Sequence, residues 1–297
     1  MVLERKELKD LDLLDRFLFA EAIEDPETME LILEIILGRD IVLKHLPQAE
    51  KEQRSFLWSK QVKLDVWAQD TDDVIYDTEV QKRDTKDLPK RSRLYNSMID
   101  SKLLILGTAG YNGLNDVYII MITPFDLFGK GRYRYTFRMS CEEVPGLDLR
   151  DGVTRIFLNT RGSNAEGESE ELIGLLRYFE DSSADSAMKS GSDRVMKLHE
   201  KVEKLRESEE IGVRFMNAWE EKLLDRQDGY EEGLEVGEKR GRKSGLAEGK
   251  QKGIAEGELR GSTRRSKEIA SKMKSRGMRT EDISEITGLT EDEIAAL

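Results

Sequence analysis

Apolar residues recur at helical spacing near the start of the chain. Leu11, Leu14, Leu18 and Ala22 share one face of a first predicted helix. Met29, Leu33, Ile36 and Leu37 line a second, which opens at Pro26 and stops at Gly38. The pattern then switches to alternation. Val62, Leu64, Val66 and Ala68 alternate with Lys63, Asp65, Trp67 and Gln69, as on a half-buried strand. Asp70 to Asp73 is a polar turn, and a second strand follows at Val74 to Gln81, so residues 60 to 81 read as a β-hairpin. A helix is predicted over 90–106. Strands are predicted at Val117 to Thr123, Tyr133 to Met139 and Val153 to Asn159, all rich in β-branched or aromatic residues.

Beyond residue 160 the pattern loses its strands. Arg161 to Ser169 reads as an exposed loop or linker, Glu170 to Glu180 as a helix, Ser182 to Ser192 as a polar break, and Asp193 to Asp225 as a long charged helix. Nine glycines then occupy every fourth position from Gly229 to Gly261. Glycine costs about 1 kcal/mol against alanine inside a helix, which favours a flexible, basic linker. On a helix, however, the same spacing traces a slowly winding groove that a second helix could approach closely, so 229–261 is also a candidate for self-association. A helix is predicted over Ser262 to Lys274. Thr280 and Thr290, each followed by acidic residues, then read as N-caps of two short helices separated by Gly288, the outline of a helix-turn-helix. That pair carries Glu281, Asp282, Glu285, Glu291, Asp292 and Glu293, which favours packing or protein contact over reading DNA. The predicted divisions are therefore 1–160, a linker and helical region over 161–228, the glycine segment 229–261, and the helices of 262–297.

Composition sharpens this outline. Charged residues make up 36% of the 297 residues, more than a packed core accommodates, so part of the chain lies outside one. The single cysteine, Cys141, excludes an intramolecular disulfide and any zinc site needing two cysteines of one chain. No apolar run approaches membrane-spanning length, and Met1 to Asp10 lacks an apolar signal core, so a soluble protein of the reducing cytoplasm is expected. His45 and His199 stand alone, without ligand-like spacing. Net charge is −12, yet Lys82 to Arg93 carries six Lys/Arg against two Asp, and Lys239 to Arg279 fourteen against four Glu. Polyanions respond to such local patches rather than to the mean. As solvated helix faces, the same runs would need no partner.

The hairpin gathers the candidate chemistry. Alternation puts Ile75, Asp77, Glu79 and Gln81 on one face of the second strand. With the turn centred near Asp72, Asp65 falls opposite Glu79, where paired Cβ atoms lie about 5 Å apart. Two carboxylates that close repel unless a cation lies between them, and hard oxygen ligands suit Mg²⁺ or Mn²⁺. Such an ion activates water and stabilises charge on a scissile phosphate, while Gln81 is placed to hold the water or a phosphate oxygen. Idle surface carboxylates would give the same spacing. Asp65, however, sits between Leu64 and Val66 in a mostly apolar strand, and the basic residues Lys82, Arg83, Lys86, Lys90, Arg91 and Arg93 follow at once. Arg91 and Tyr95 share a helix face, so they and Lys82, Arg83, Lys90 and Arg93 are candidate DNA-backbone contacts, with a core position the alternative for Tyr95.

At these residues the chain resembles a known family. Lys63-Leu64-Asp65-Val66, Ile75 to Gln81, Pro89-Lys90-Arg91 with Tyr95-Asn96-Ser97, and Gly107 to Tyr111 leading into Val117-Tyr118-Ile119-Ile120 look like the PD-(D/E)XK nuclease superfamily. The branch is that of the recombination-promoting nucleases and transposase-like proteins, and the likeness covers roughly residues 10 to 140. Asp15-Arg16-Phe17-Leu18-Phe19, the glycine-period tail and Ile283 to Leu297 resemble the same branch. The resemblance implies an α/β fold with an αβββαβ core, its mixed sheet flanked by helices and followed by a helical extension. It implies Asp65 and Glu79 as metal ligands, Asp15 as an auxiliary acid, and Gln81 where most of the superfamily has lysine. The expected function is a Mg²⁺-dependent DNA endonuclease, with Mn²⁺ an alternative ion. The competing reading is a nuclease fold that has lost catalysis and binds DNA or assembles.

Overall fold

The structure is a computed structural model that describes residues 6–44, 48–53, 62–104 and 110–297, with the backbone alone over 48–53 and 62–67. The chain divides into two compact units, Met1–Ala218 and Trp219–Leu297.

In the first unit, α1 (Arg16–Ile23) and α2 (Pro26–Leu37) precede β1 (Gln48–Gln53), β2 (Val62–Gln69) and β3 (Ile75–Val80). Next come α3 (Leu88–Leu103), β4 (Val117–Thr123), β5 (Arg134–Phe137) and β6 (Val153–Asn159). The described strands form one six-stranded mixed sheet in the order β1-β2-β3-β4-β6-β5. β1, β2 and β3 are an antiparallel meander, β3, β4 and β6 run parallel, and β5 returns antiparallel on the edge. The αβββαβ order implied by the resemblance is thus present, extended by β5 and β6. β4 (VYIIMIT) is apolar almost throughout because helices cover both faces of a parallel strand.

The alternation predicted for β3 sorts its side chains between two cores. Tyr76 and Val80 join Ile120, Ile122, Ile156 and Leu158 in the larger one, against helices 1 and 2. Ile75 joins Ile119, Met121 and Phe157 in the smaller one, closed by Leu88, Tyr95 and Ile99 of α3. The larger core also takes in α4 (Glu170–Glu180) and α6 (Asp193–Arg206), through residues such as Leu175, Phe179, Leu198 and Val202. The expected division at residue 160 therefore falls inside a core that closes only at Ala218. Burying one Leu or Phe side chain contributes roughly 1.5–3 kcal/mol, which is why these amphipathic helices dock rather than trail. The expected polar break at 182–192 holds a short helix, α5 (Ala184–Lys189), and Ser182 is buried, its hydroxyl accepting from the Leu13 amide at 2.9 Å.

Three local features differ from the sequence reading. The first helix begins at Arg16, not at Leu11, because the Asp15 side chain caps it by accepting from the Phe17 amide at 3.1 Å. β1 (QAEKEQ) has no apolar alternation to announce it, and it is held by pairing to β2. Asp70 is not a solvated turn residue: it is buried, accepts from the Asp72 and Val74 amides, and receives the Tyr76 hydroxyl at 2.6 Å. Arg39 donates to the same Tyr76 oxygen at 2.6 Å. Burial, with the hydrogen bond to Asp70, pushes the Tyr76 hydroxyl well above its ordinary pKa, so it stays a donor. This cluster pins the hairpin turn, and the turn fixes which residues of β2 and β3 face each other.

α7 runs without interruption from Glu209 to Ser275, and its first turns bury Ile211 and Phe215 in the larger core. The glycine segment is helical, not a linker, and among the described residues, its own helix backbone and chain neighbours aside, nothing lies within 4 Å of where a Cβ on any of its nine glycines would sit. In the second unit, Ala270 and Met273 of this helix pack on Ile283, Leu289 and Ile294 from α8 (Thr280–Thr287) and α9 (Glu291–Ala295). Lys274 closes that small core by donating to the Ile294 and Ala295 carbonyls at 3.0 and 2.9 Å. Thr290 forms the expected capping box with Glu293, and Gly288 ends α8 in the left-handed region. Arg279, rather than Thr280, occupies the N-cap of α8. No helix among the described residues is long and apolar enough to cross a membrane.

Candidate metal and nucleic-acid site

β3 is buried along its whole length, yet it carries Asp77, Thr78 and Glu79 in succession. A carboxylate in such a place loses several kcal/mol of hydration unless something charged answers it, so an apolar side chain would make the more stable strand. Parallel pairing with β4 sets Glu79 beside Met121, near the carboxyl end of the strand. The Glu79 side chain is 6% exposed and lies on the face covered by α3.

Arg91 of α3 ion-pairs with Glu79 Oε1, its side chain 22% exposed. The same guanidinium reaches Gln81 Oε1 from both terminal nitrogens at 3.4 Å and stacks over the Tyr95 ring, 5.6 Å from its centroid. Gln81 is oriented from its other end, where Nε2 donates to the Arg83 carbonyl at 2.8 Å. Its amide oxygen therefore faces the cation and its nitrogen faces away. Lys82 Nζ lies 3.4 Å from Asp15 Oδ2, bringing the start of α1 to the end of β3. Asp15 thus caps α1 and partners Lys82.

Glu79, Gln81, Arg91, Lys82 and Asp15 therefore cluster at one end of the hairpin and its covering helix. Asp65 lies on β2, and its side chain is outside the described residues. β2 pairs with β3 antiparallel, Trp67 with Asp77, Ala68 with Tyr76 and Gln69 with Ile75. Continued by two residues, that register sets position 65 across from position 79. Tyr95 is 3% exposed and belongs to the smaller core, so its ring supports Arg91 and is not a surface contact for DNA. Arg91 is turned inward as well. Lys82, Arg83, Lys90 and Arg93 are exposed, as side chains gripping a phosphate backbone must be. Asp77 was not singled out by sequence reasoning; it is 1% exposed and shares the face of Glu79, a position that alternation alone could have flagged.

A divalent ion fits this chemistry at one atom in particular. Glu79 Oε2 is buried and has no hydrogen-bond partner among the described residues, while Oε1 is taken by Arg91. A carboxylate oxygen left in that condition costs stability unless a cation reaches it. Among the described residues no three His, Cys, Asp or Glu side chains converge on a point.

Residues 263–297 match the model of the Rpn/YhgA-like nuclease family, C-terminal HTH domain. This agrees with the helix-turn-helix outline read from Thr280, Gly288 and Thr290. No curated protein and no solved structure gives a significant match to the chain. Residues 10–233 match the model of the PD-(D/E)XK nuclease family transposase, well over half of the 297 residues, and the chain belongs to that family.

Proposed function

We propose that the protein is a metal-dependent DNA endonuclease that hydrolyses phosphodiester bonds, in the service of recombination or DNA mobility. The observation that carries this reading is the buried Glu79 carboxylate, held at one oxygen by Arg91 and without a hydrogen-bond partner among the described residues at the other, near the end of a strand whose register with β2, continued by two residues, sets position 65 across from it. Asp65 and Glu79 would hold Mg²⁺ or Mn²⁺, with Asp15 an auxiliary acid. When bound, the ion supplies a lowered water pKa and a positive centre for the scissile phosphate. Gln81, fixed between Arg91 and the Arg83 carbonyl, presents its amide to the attacking water or a phosphate oxygen. Exposed Lys82, Arg83, Lys90 and Arg93 hold the DNA backbone on the outside of α3 and the loop before it.

The second unit is a separate source of DNA affinity. Within residues 263–297 the cations lie between Arg264 and Arg279, mostly on the end of α7, and every acid but Glu268 lies on the two terminal helices. Backbone contact therefore falls to the end of α7. The uncovered glycine face of this helix is the place where a second copy would pack, through residues 229–261. The competing reading, a DNA-binding or assembly protein without catalysis, draws on Gln81, which carries no charge to stabilise a leaving oxygen. Incubating purified protein with supercoiled plasmid and Mn²⁺ separates the two. Nicking by the wild type that is lost in Asp65→Ala supports the nuclease; equal nicking by both, or none by either, removes it.

A further inference from the structure

Sequence position makes Arg91 one of six cations following the hairpin, and so a backbone contact. Its surroundings assign it differently. Among the described residues it ion-pairs with Glu79, it meets Gln81 at the same time, and its guanidinium carbon lies over a ring that is itself in the core, 5.6 Å from the centroid. A guanidinium pinned in this way has little freedom to follow a phosphate. Its planar fork instead spans two acceptors two residues apart on one strand face, which a lysine ammonium cannot do with the same geometry.

We infer that Arg91 is a positioning residue of the metal centre. By engaging Glu79 Oε1 it turns Oε2 toward the ion, and by engaging Gln81 Oε1 it sets the orientation of that amide. The charge that Gln81 lacks is thereby supplied from α3, through a residue that acts on the ligands rather than on DNA. Tyr95 completes the device by holding the guanidinium from beneath. This rests on the metal reading above. Partners that orient a metal ligand from behind typically cost about 10- to 100-fold in metal affinity or activity when removed.

The test is Mn²⁺ titration calorimetry on the full chain without DNA, set beside the salt dependence of DNA binding in EDTA. Arg91→Gln should weaken Mn²⁺ binding by about 10- to 100-fold and leave the slope of log K against log salt unchanged. Arg91→Lys keeps the charge and protects against loss of the fold. It should still weaken Mn²⁺ binding, by about tenfold, because the fork is gone. Wild-type Mn²⁺ affinity in both variants, with a salt slope lower by about one in Arg91→Gln, would make Arg91 a backbone contact and overturn the inference. Failure of the wild type itself to bind Mn²⁺, or equal binding by Glu79→Gln, would instead bring down the metal reading on which it depends.

Discussion

The Glu79–Arg91 pair makes a prediction that can be worked through in stability alone. Both groups are largely withdrawn from water, with side-chain exposures of 6% and 22%. Removing one partner of a buried pair leaves an uncompensated charge and costs about 3–5 kcal/mol, whereas replacing both by apolar residues of similar volume is often neutral or stabilising. Arg91 keeps about a fifth of its exposure, so Arg91→Met is expected near the low end, about 3 kcal/mol. Glu79→Leu strands the guanidinium, which escapes to solvent more easily than the carboxylate, and should cost less, about 1–2 kcal/mol. The double variant should lie within about 1 kcal/mol of the wild type, giving a coupling of at least about 3 kcal/mol. Urea unfolding in EDTA, followed by tryptophan fluorescence, reads these differences from the midpoint at constant slope. Additive single losses, with the double variant worst of all, would show that Arg91 does not answer the charge of Glu79. The description of the site would then fail at its first contact.

Other consequences are independent of that pair. Asp25 caps α2 by accepting from the Thr28 amide at 3.2 Å and from Lys201 at 2.8 Å; burial alone would raise its pKa, but the bonds to Lys201 and Thr28 outweigh burial and lower it. Its stabilisation is therefore complete above the ordinary carboxylate value and disappears as pH falls through the depressed one. Asp25→Ala should cost about 1 kcal/mol at pH 7, and thermal melts of the two proteins should converge in strong acid. Replacing Gly237, Gly241 and Gly245 by alanine meets no atom within 4 Å and should raise helix stability by up to about 1 kcal/mol each, seen as a higher melting temperature at 222 nm. If the glycine face packs against a second copy, the same variants should shift mass toward monomer in sedimentation. Lys90→Ala and Arg93→Ala, both at exposed positions, should each reduce the salt slope of DNA binding by about one without altering Mn²⁺ affinity.

Much of the fold was legible because its central elements obey a single period. The alternation of Val62 to Gln81 gave the hairpin and the two faces of β3, and the apolar run of β4 gave a strand. What stayed hidden depends on tertiary pairing. β1 is polar except at Ala49 and is paired to β2. Helices 4 and 6 looked like appendages after a Gly- and Ser-rich loop, since sequence does not show that their apolar stripes meet the sheet. The glycine segment misled through local propensity, which counts its cost and not the long helix it belongs to. At the site, spacing put Glu79 and Gln81 on one face but did not show that Tyr95 is buried or that Arg91 turns inward to Glu79. An Arg and a Tyr four residues apart on a helix look the same whether that face meets solvent or a strand.

The central claim is that Glu79 is held as a carboxylate to bind an ion that cuts DNA. Glu79→Gln changes a single oxygen to an amide and keeps the shape, so the most direct measurement is plasmid nicking in Mn²⁺ by this variant beside the wild type. The account expects cleavage by the wild type and a loss of at least about a hundredfold in the variant, with DNA binding in EDTA retained. Nicking at the wild-type rate by Glu79→Gln would contradict it.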